Sequence, residues 1–169
     1  TMLVAFELPW DGGGDVPALF AAVSAERANW RGAALYVDRG DGELHPLGPS
    51  GRRRSVMGEV ETVLPAANPL LFDRGAGVTV MLLDPTMVLA DATGRQLASG
   101  ANRALLGAEI VQFARAAPLG GGRWHISRLL RGRGGTEAAV DGHAAGEPFV
   151  LLDAAPIALD PAIVGTAPD

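Results

Sequence analysis

Residues 33–43 read AALYVDRGDGE, a short apolar run followed at once by Asp38, Gly40, Asp41 and Gly42. Asp-Gly next to an apolar run is a strong short-range hairpin signal, because both central positions of a tight turn need positive φ. The stretch therefore predicts a β-hairpin, and the same grammar extends in both directions. Upstream, residues 2–8 (MLVAFEL) form a run closed by Pro9 and the glycines 12–14, which fits a strand by its length. Residues 18–31 are free of Gly and Pro, and Phe20, Val23 and Trp30 could share a helical face. Leu19, Ala21 and Val23 also alternate with Phe20, Ala22 and Ser24, and strand is the reading favoured here.

Downstream, residues 55–64 (SVMGEVETVL) predict a half-exposed strand ended by Pro65, and Asn68-Pro69 marks a turn. Residues 78–83 (VTVMLL) predict a buried strand, and residues 86–90 another. Within residues 96–117, Leu106, Ile110 and Phe113 have helical spacing, but Gly100 and Gly107 cut the segment, so two short strands are expected. Residues 123–131 (RWHISRLLR) follow a Gly120-Gly121-Gly122 turn and place Trp124, Ile126 and Leu129 inward; residues 149–152 form a last strand. About nine to eleven strands with closely spaced turn signals predict an all-β, antiparallel sandwich or barrel-like module with short helical turns at most. The expectation is one β-rich module over residues 1–169, with 65–77 as a linker that would divide it into 1–64 and 78–169.

Composition narrows the classes. With 23 Gly and 12 Pro among 169 residues, few windows can hold a long helix, which excludes a helical bundle. An apolar share of 48% against 20% charged residues describes a packed chain rather than a disordered one. There is no Cys, hence no disulfide, thiolate nucleophile or Cys-ligated metal. All 14 basic residues are Arg, against 19 acidic ones, and the net charge of −5 argues against nucleic-acid binding driven by charge. No window is long and apolar enough for a membrane span, so a soluble chain with neither membrane insertion nor a targeting signal of its own is expected. The abrupt apolar start and the loose Thr166-Ala167-Pro168-Asp169 ending suggest a piece of a longer protein.

No motif assembles a reaction site. Five Ser residues include no Gly-x-Ser-x-Gly, and His45, His125 and His143 form no His-Glu-x-x-His pair. Asp141 and His143 could pair as acid and imidazole, but a polar turn explains them more simply. The acidic turns 11–15 and 38–43 lack calcium-loop spacing, and Arg39-Gly40-Asp41 is a turn rather than a receptor tripeptide. Glu59 and Glu61 read as solvent-facing charges on a strand. The basic run Arg52, Arg53 and Arg54, and the group Arg123, Arg128, Arg131 and Arg133, are candidate surface contacts. The Gly132-Arg133-Gly134-Gly135 stretch lacks the Lys and Ser/Thr of a phosphate loop. No catalytic residue, cofactor or metal is expected. A carbohydrate-binding module using exposed Trp10, Trp30 or Trp124 is the alternative from another class.

A longer signature lies in residues 97–107 (LASGANRALLG), 109–113 (EIVQF), 129–137 (LLRGRGGTE), His143, Gly146-Glu147 and 149–152 (FVLL), with 30–36 (WRGAALY) upstream. Together these resemble the C-terminal region of phage-tail baseplate hub proteins of gene transfer agents and related siphophages, over about residues 17–160. The resemblance implies a structural, non-enzymatic module at the tip of a phage-like tail, assembled in the bacterial cytoplasm and released in the particle. Its implied partners are other tail or baseplate proteins, a homotrimeric full-length hub, and the recipient envelope, with a cell-surface glycan as a further candidate. The longer chains of that family often carry a glycoside-hydrolase-like barrel elsewhere, and nothing here matches its eight βα units. The motif residues Leu129, Leu130, Arg131, Gly132, Gly134, Gly135, Thr136 and His143 read as scaffold: a sharp glycine turn with Arg131 held by a carboxylate or by backbone carbonyls.

Overall fold

The computed structural model describes residues 1–8, 18–25, 30–47, 51–153 and 155–159. Trp10, the 11–15 turn, Ser50 and residues 26–29 of the expected 18–31 strand lie outside the described residues.

The two N-terminal apolar runs form β1 (Met2–Leu8) and β2 (Ala18–Ser24), paired antiparallel so that Phe6 faces Phe20. The expected hairpin is β3 (Tyr36–Asp38) with β4 (Leu44–Pro46). Its turn spans residues 39–43, longer than the two-residue Asp-Gly turn expected. The cause is local: the Gly40 N–H donates to Asp38 Oδ1 at 2.8 Å and the Glu43 N–H to Asp41 Oδ1 at 3.0 Å. Each aspartate thus closes its own small turn before the strands can meet.

The rest of the chain supplies β5 (Met57–Val60), β6 (Leu64–Pro65), β7 (Phe72–Asp73), β8 (Val78–Leu82), α1 (Gly94–Ala98), β9 (Arg103–Leu106), β10 (Glu109–Gly120), β11 (Arg123–Leu130), β12 (Gly142–His143), β13 (Pro148–Leu151) and β14 (Ile157–Ala158). Two short 3₁₀ turns, Arg133–Gly135 and Glu137–Ala139, lie between β11 and β12. The strands β5, β8, β11, β10, β9 and β13 pair in that order, all antiparallel, and β13 returns to β5. The result is a closed six-stranded barrel, the second of the two architectures expected. Closure leaves none of these six strands as an unpaired edge. The longest hairpin, β10–β11, turns on Gly121 and Gly122 at φ +62° and +85°, a pair only glycine adopts without strain.

The barrel interior holds Val60, Val78, Val80, Leu82, Ala104, Leu106, Val111, Phe113, Ile126, Leu129 and Phe149 in one apolar cluster. A second cluster lies on the outer wall, where Leu105, Ile110, Val150 and Met57 pack with Phe6 and Ala22. Neighbouring residues in β9, β10 and β13 therefore face two different cores, which explains runs such as ALL and FVL that do not alternate. The covering sheet has the order β1–β2–β14, with β2 at its centre. Arg128 has φ +56°, one of two non-glycine residues with positive φ among those described. A left-handed residue here breaks the alternation of β11, so that Ile126 and Leu129 both reach the interior.

Four expectations change. Residues 55–64 are not one strand: β5 ends at Val60 and Leu64 belongs to β6, which pairs with β12. Residues 86–90 have strand-like alternation, with Met87 and Leu89 buried and Val88 exposed, but they join no ladder; they pack into the barrel core as a loop. Residues 96–117 hold the two expected strands and also the end of a helix, whose capping box joins Thr93 and Gln96. Segment 65–77 does not divide the chain as a linker would: β5 before it pairs with β8 after it, while β7 within it pairs with β11.

Candidate functional site

Glu109 opens β10 immediately after the turn from β9, and Arg131 follows the last residue of β11. The antiparallel register that sets Gln112 against Leu130 brings these two ends together. Arg131 Nε donates to Glu109 Oε1 at 2.9 Å and Nη2 donates to Oε2 at 2.8 Å, a two-pronged bond between side chains with no solvent exposure. Arg131 Nη1 donates to the Pro65 carbonyl at 3.0 Å and stands 3.6 Å from Asp73 Oδ2. The expected carboxylate and the expected backbone carbonyl are both present.

His143, delivered by β12, places Nε2 2.7 Å from Glu109 Oε2 and Nδ1 2.7 Å from Glu147 Oε2. A carboxylate at each ring nitrogen favours the imidazolium, the form that donates from both. Its hydrogen bond to Glu109 raises its pKa, burial opposes the rise, and Glu147 adds to it. Burial alone would push the Glu109 carboxyl up; the bonds from His143, Arg131 and the Gly132 N–H outweigh it and hold the group below its ordinary range. Glu147 is likewise held low: burial opposes, while the Ala144 N–H and His143 prevail.

The glycine-rich stretch completes this corner. Gly132 donates its N–H to Glu109 Oε1 at 2.7 Å from a left-handed conformation, φ +58°. A Cβ there would lie 2.9 Å from Glu137 Cα, so a side chain is blocked by backbone. Gly134 and Gly135, also at positive φ, carry the chain through the first 3₁₀ turn. Thr136 then accepts the Ile110 N–H at 2.9 Å and donates to the Arg133 carbonyl at 2.8 Å. Arg133 Nε donates to Gln112 Oε1 at 3.2 Å.

Glu109 consequently receives donors at both oxygens and has no lone pair directed at a ligand. Chemically this is an internal ionic lock, in which Arg131, Glu109 and His143 meet away from solvent and Glu147 closes the outer, partly exposed end. His143 pairs with Glu109 and Glu147 rather than with Asp141, which is exposed, so the acid–imidazole pairing considered for 141 and 143 is not formed.

Of the motif residues, Arg131, Gly132, Gly134, Gly135, Thr136 and His143 gather at this corner, while Leu129 enters the barrel core and Leu130 pairs with Phe72 and Gln112. Sequence reasoning missed the roles of Glu109 and Glu147; the available signal was a lone acid heading the apolar run EIVQF. The basic run separates. Arg52 and Arg53 are exposed, but Arg54 is half-buried, with Nη1 2.6 Å from Asp84 Oδ2 and 3.2 Å from the Ala25 carbonyl. Neither described tryptophan is an exposed platform: Trp30 is half-buried and donates its indole N–H to the Arg52 carbonyl at 3.1 Å, and Trp124 packs half-buried on the barrel core.

No curated protein matches this chain. The family model described as Rcc01698-like, C-terminal, matches residues 55–150. That span runs from just before β5 to within β13, so it covers the barrel strands and all four members of the ionic lock. The match takes in more than half of the sequence, and the chain belongs to the Rcc01698-like, C-terminal family.

Proposed function

We propose that this chain is a structural, non-catalytic module of a phage-like tail tip or baseplate hub. In that role it contributes to assembly with other tail or baseplate proteins, within a trimeric full-length hub, and to contact with the recipient cell envelope. The observation that carries the reading is the placement of the signature: 97–107, 109–113, 129–137, His143 and Glu147 fall within the matched span and supply β9, the start of β10, the end of β11 and the lock. A segment whose most distinctive polar residues are consumed in holding its own strands supports a scaffold better than a reaction site. The particle would carry it out of the bacterial cytoplasm where it is assembled.

The test is genetic and structural. Deleting residues 55–150 in a particle-producing strain should give tip-defective or non-adsorbing particles, seen by electron microscopy and by delivery of DNA to recipients. Normal tips with normal delivery would end the proposal.

A further inference from the structure

Arg128 and Arg74 are brought to one cavity beside β7 and β11. The β7–β11 ladder pairs Leu130 with Phe72 and Leu129 with Asp73, so each arginine is next in sequence to a residue of that ladder. Like charges that share a small cavity repel. Among the described residues neither guanidinium has an ion pair or hydrogen bond, and both residues are exposed. The nearby carboxylates are engaged elsewhere: Asp73 accepts from the Gly75 N–H and faces Arg131, while Asp91 is held by Arg115 and by the Ala116 N–H.

Both arginines, with Phe72, line a cavity of about 260 Å³. Phe72 and Arg128 also line an adjoining hollow of about 360 Å³ walled by Ala92, Leu97 and Ala114. Beside Phe72 in sequence, Leu70 and Leu71 are 89% and 62% exposed. Arg128 stands, moreover, at φ +56°, where glycine would be unstrained.

We infer that Arg74 and Arg128 form a two-pronged anion clamp over an apolar groove, and that its occupant is an acidic segment of a partner protein with apolar residues beside its carboxylates. The carboxylate would meet both guanidiniums and cancel their repulsion, while an apolar neighbour would lie against Phe72 in the larger hollow. The two hollows share Phe72 and Arg128, so a carboxylate in one and an apolar neighbour in the other can belong to a single segment, which a free ion cannot supply. This assignment stands on the geometry and does not depend on the tail reading.

The test is an amide NMR titration of the chain with a synthetic peptide alternating leucine and glutamate, its glutamine counterpart, and inorganic phosphate. The glutamate peptide should shift the signals of Phe72, Arg74 and Arg128, and its binding should weaken with added salt. The glutamine peptide should bind about tenfold more weakly, as expected for losing charge-assisted hydrogen bonds. R128G should keep or raise the melting temperature while weakening glutamate-peptide binding by about tenfold, and R74A should weaken it similarly. Equal binding of both peptides, phosphate alone binding as tightly as the peptide, no response to any probe, or full binding by R128G would each overturn the inference.

Discussion

Arg131 and Arg54 each join stretches of chain far apart in sequence, one inside the barrel wall and one where the β1–β2 sheet meets the barrel. Arg131 is fully enclosed with Glu109, while the Arg54 side chain keeps 20% of its exposure above a nearly buried Asp84. The carboxylates differ as well. Asp84 Oδ1 accepts the Thr86 hydroxyl at 2.6 Å and the Thr86 N–H at 2.8 Å, bonds that would outlast the arginine. Glu109 shares its oxygens with a second buried cation, so removing one partner unbalances the rest. Similar ion pairs thus differ in consequence according to what else holds the acid and how much water can replace the base.

The largest expected effect is on the enclosed side. Arg131→Ala should cost about 3–5 kcal/mol in urea unfolding, the range for breaking a buried pair, and Arg131→Lys should recover only part because an ammonium lacks the two-pronged fork. A loss under about 1 kcal/mol would erase the contrast with Arg54. The pH profile comes next. Glu109 and Glu147 are held below their ordinary 4.5, so their contribution is complete above that value and is lost as pH falls through the lowered ones. His143 is raised above its ordinary 6.5, so its contribution is complete below 6.5 and is lost as pH rises through the raised value. The lock should therefore contribute most between pH 4.5 and 6.5, and His143→Gln should flatten the alkaline fall in melting temperature.

Arg54→Ala should cost less than Arg131→Ala, and hydrogen exchange should show β1 and β2 opening before the barrel does. Thr86 and Arg54 together hold the Asp84 carboxyl at about 2 against an ordinary 3.8, so its contribution is present above 3.8 and lost as pH falls through about 2. In Arg54→Ala that acid loss should be smaller and be complete at a higher pH. The smallest effect belongs to an exposed pair: Arg123→Ala, which removes the 2.8 Å bond to Glu61, should change stability by no more than about 1 kcal/mol.

Strands were legible wherever a local pattern decided them. Residues 2–8 form a strand over the expected bounds, and of the expected Gly120–122 turn, Gly121 and Gly122 lie between β10 and β11 while Gly120 ends β10. The pairing of β13 with both β9 and β5, which closes the barrel, joins residues far apart and leaves no local trace in their order. Residues 86–90 show the converse. Alternation reports which side chains are buried, not which backbones are paired, and Met87 and Leu89 are buried without a ladder. The helix after Thr93 did leave a trace, the Thr-x-x-Gln capping box, which the nearby glycines outweighed in the reading. At the polar corner, the turn residues were visible as a motif. The partner Glu109, 22 residues from Arg131, could be assigned only once β10 and β11 were in register.

The chain enters and leaves the barrel at one place: Met57, the first residue of β5, pairs with Val150, next to the last residue of β13. Tension applied between the segments before and after the barrel would cross that rung first and peel β5 from β13 one bond at a time, the weak direction for an antiparallel pair. The remaining strands would sit outside the path of the force until the seam had opened. The barrel is thus a bead with one seam, and that seam yields to tension before the other strands are loaded.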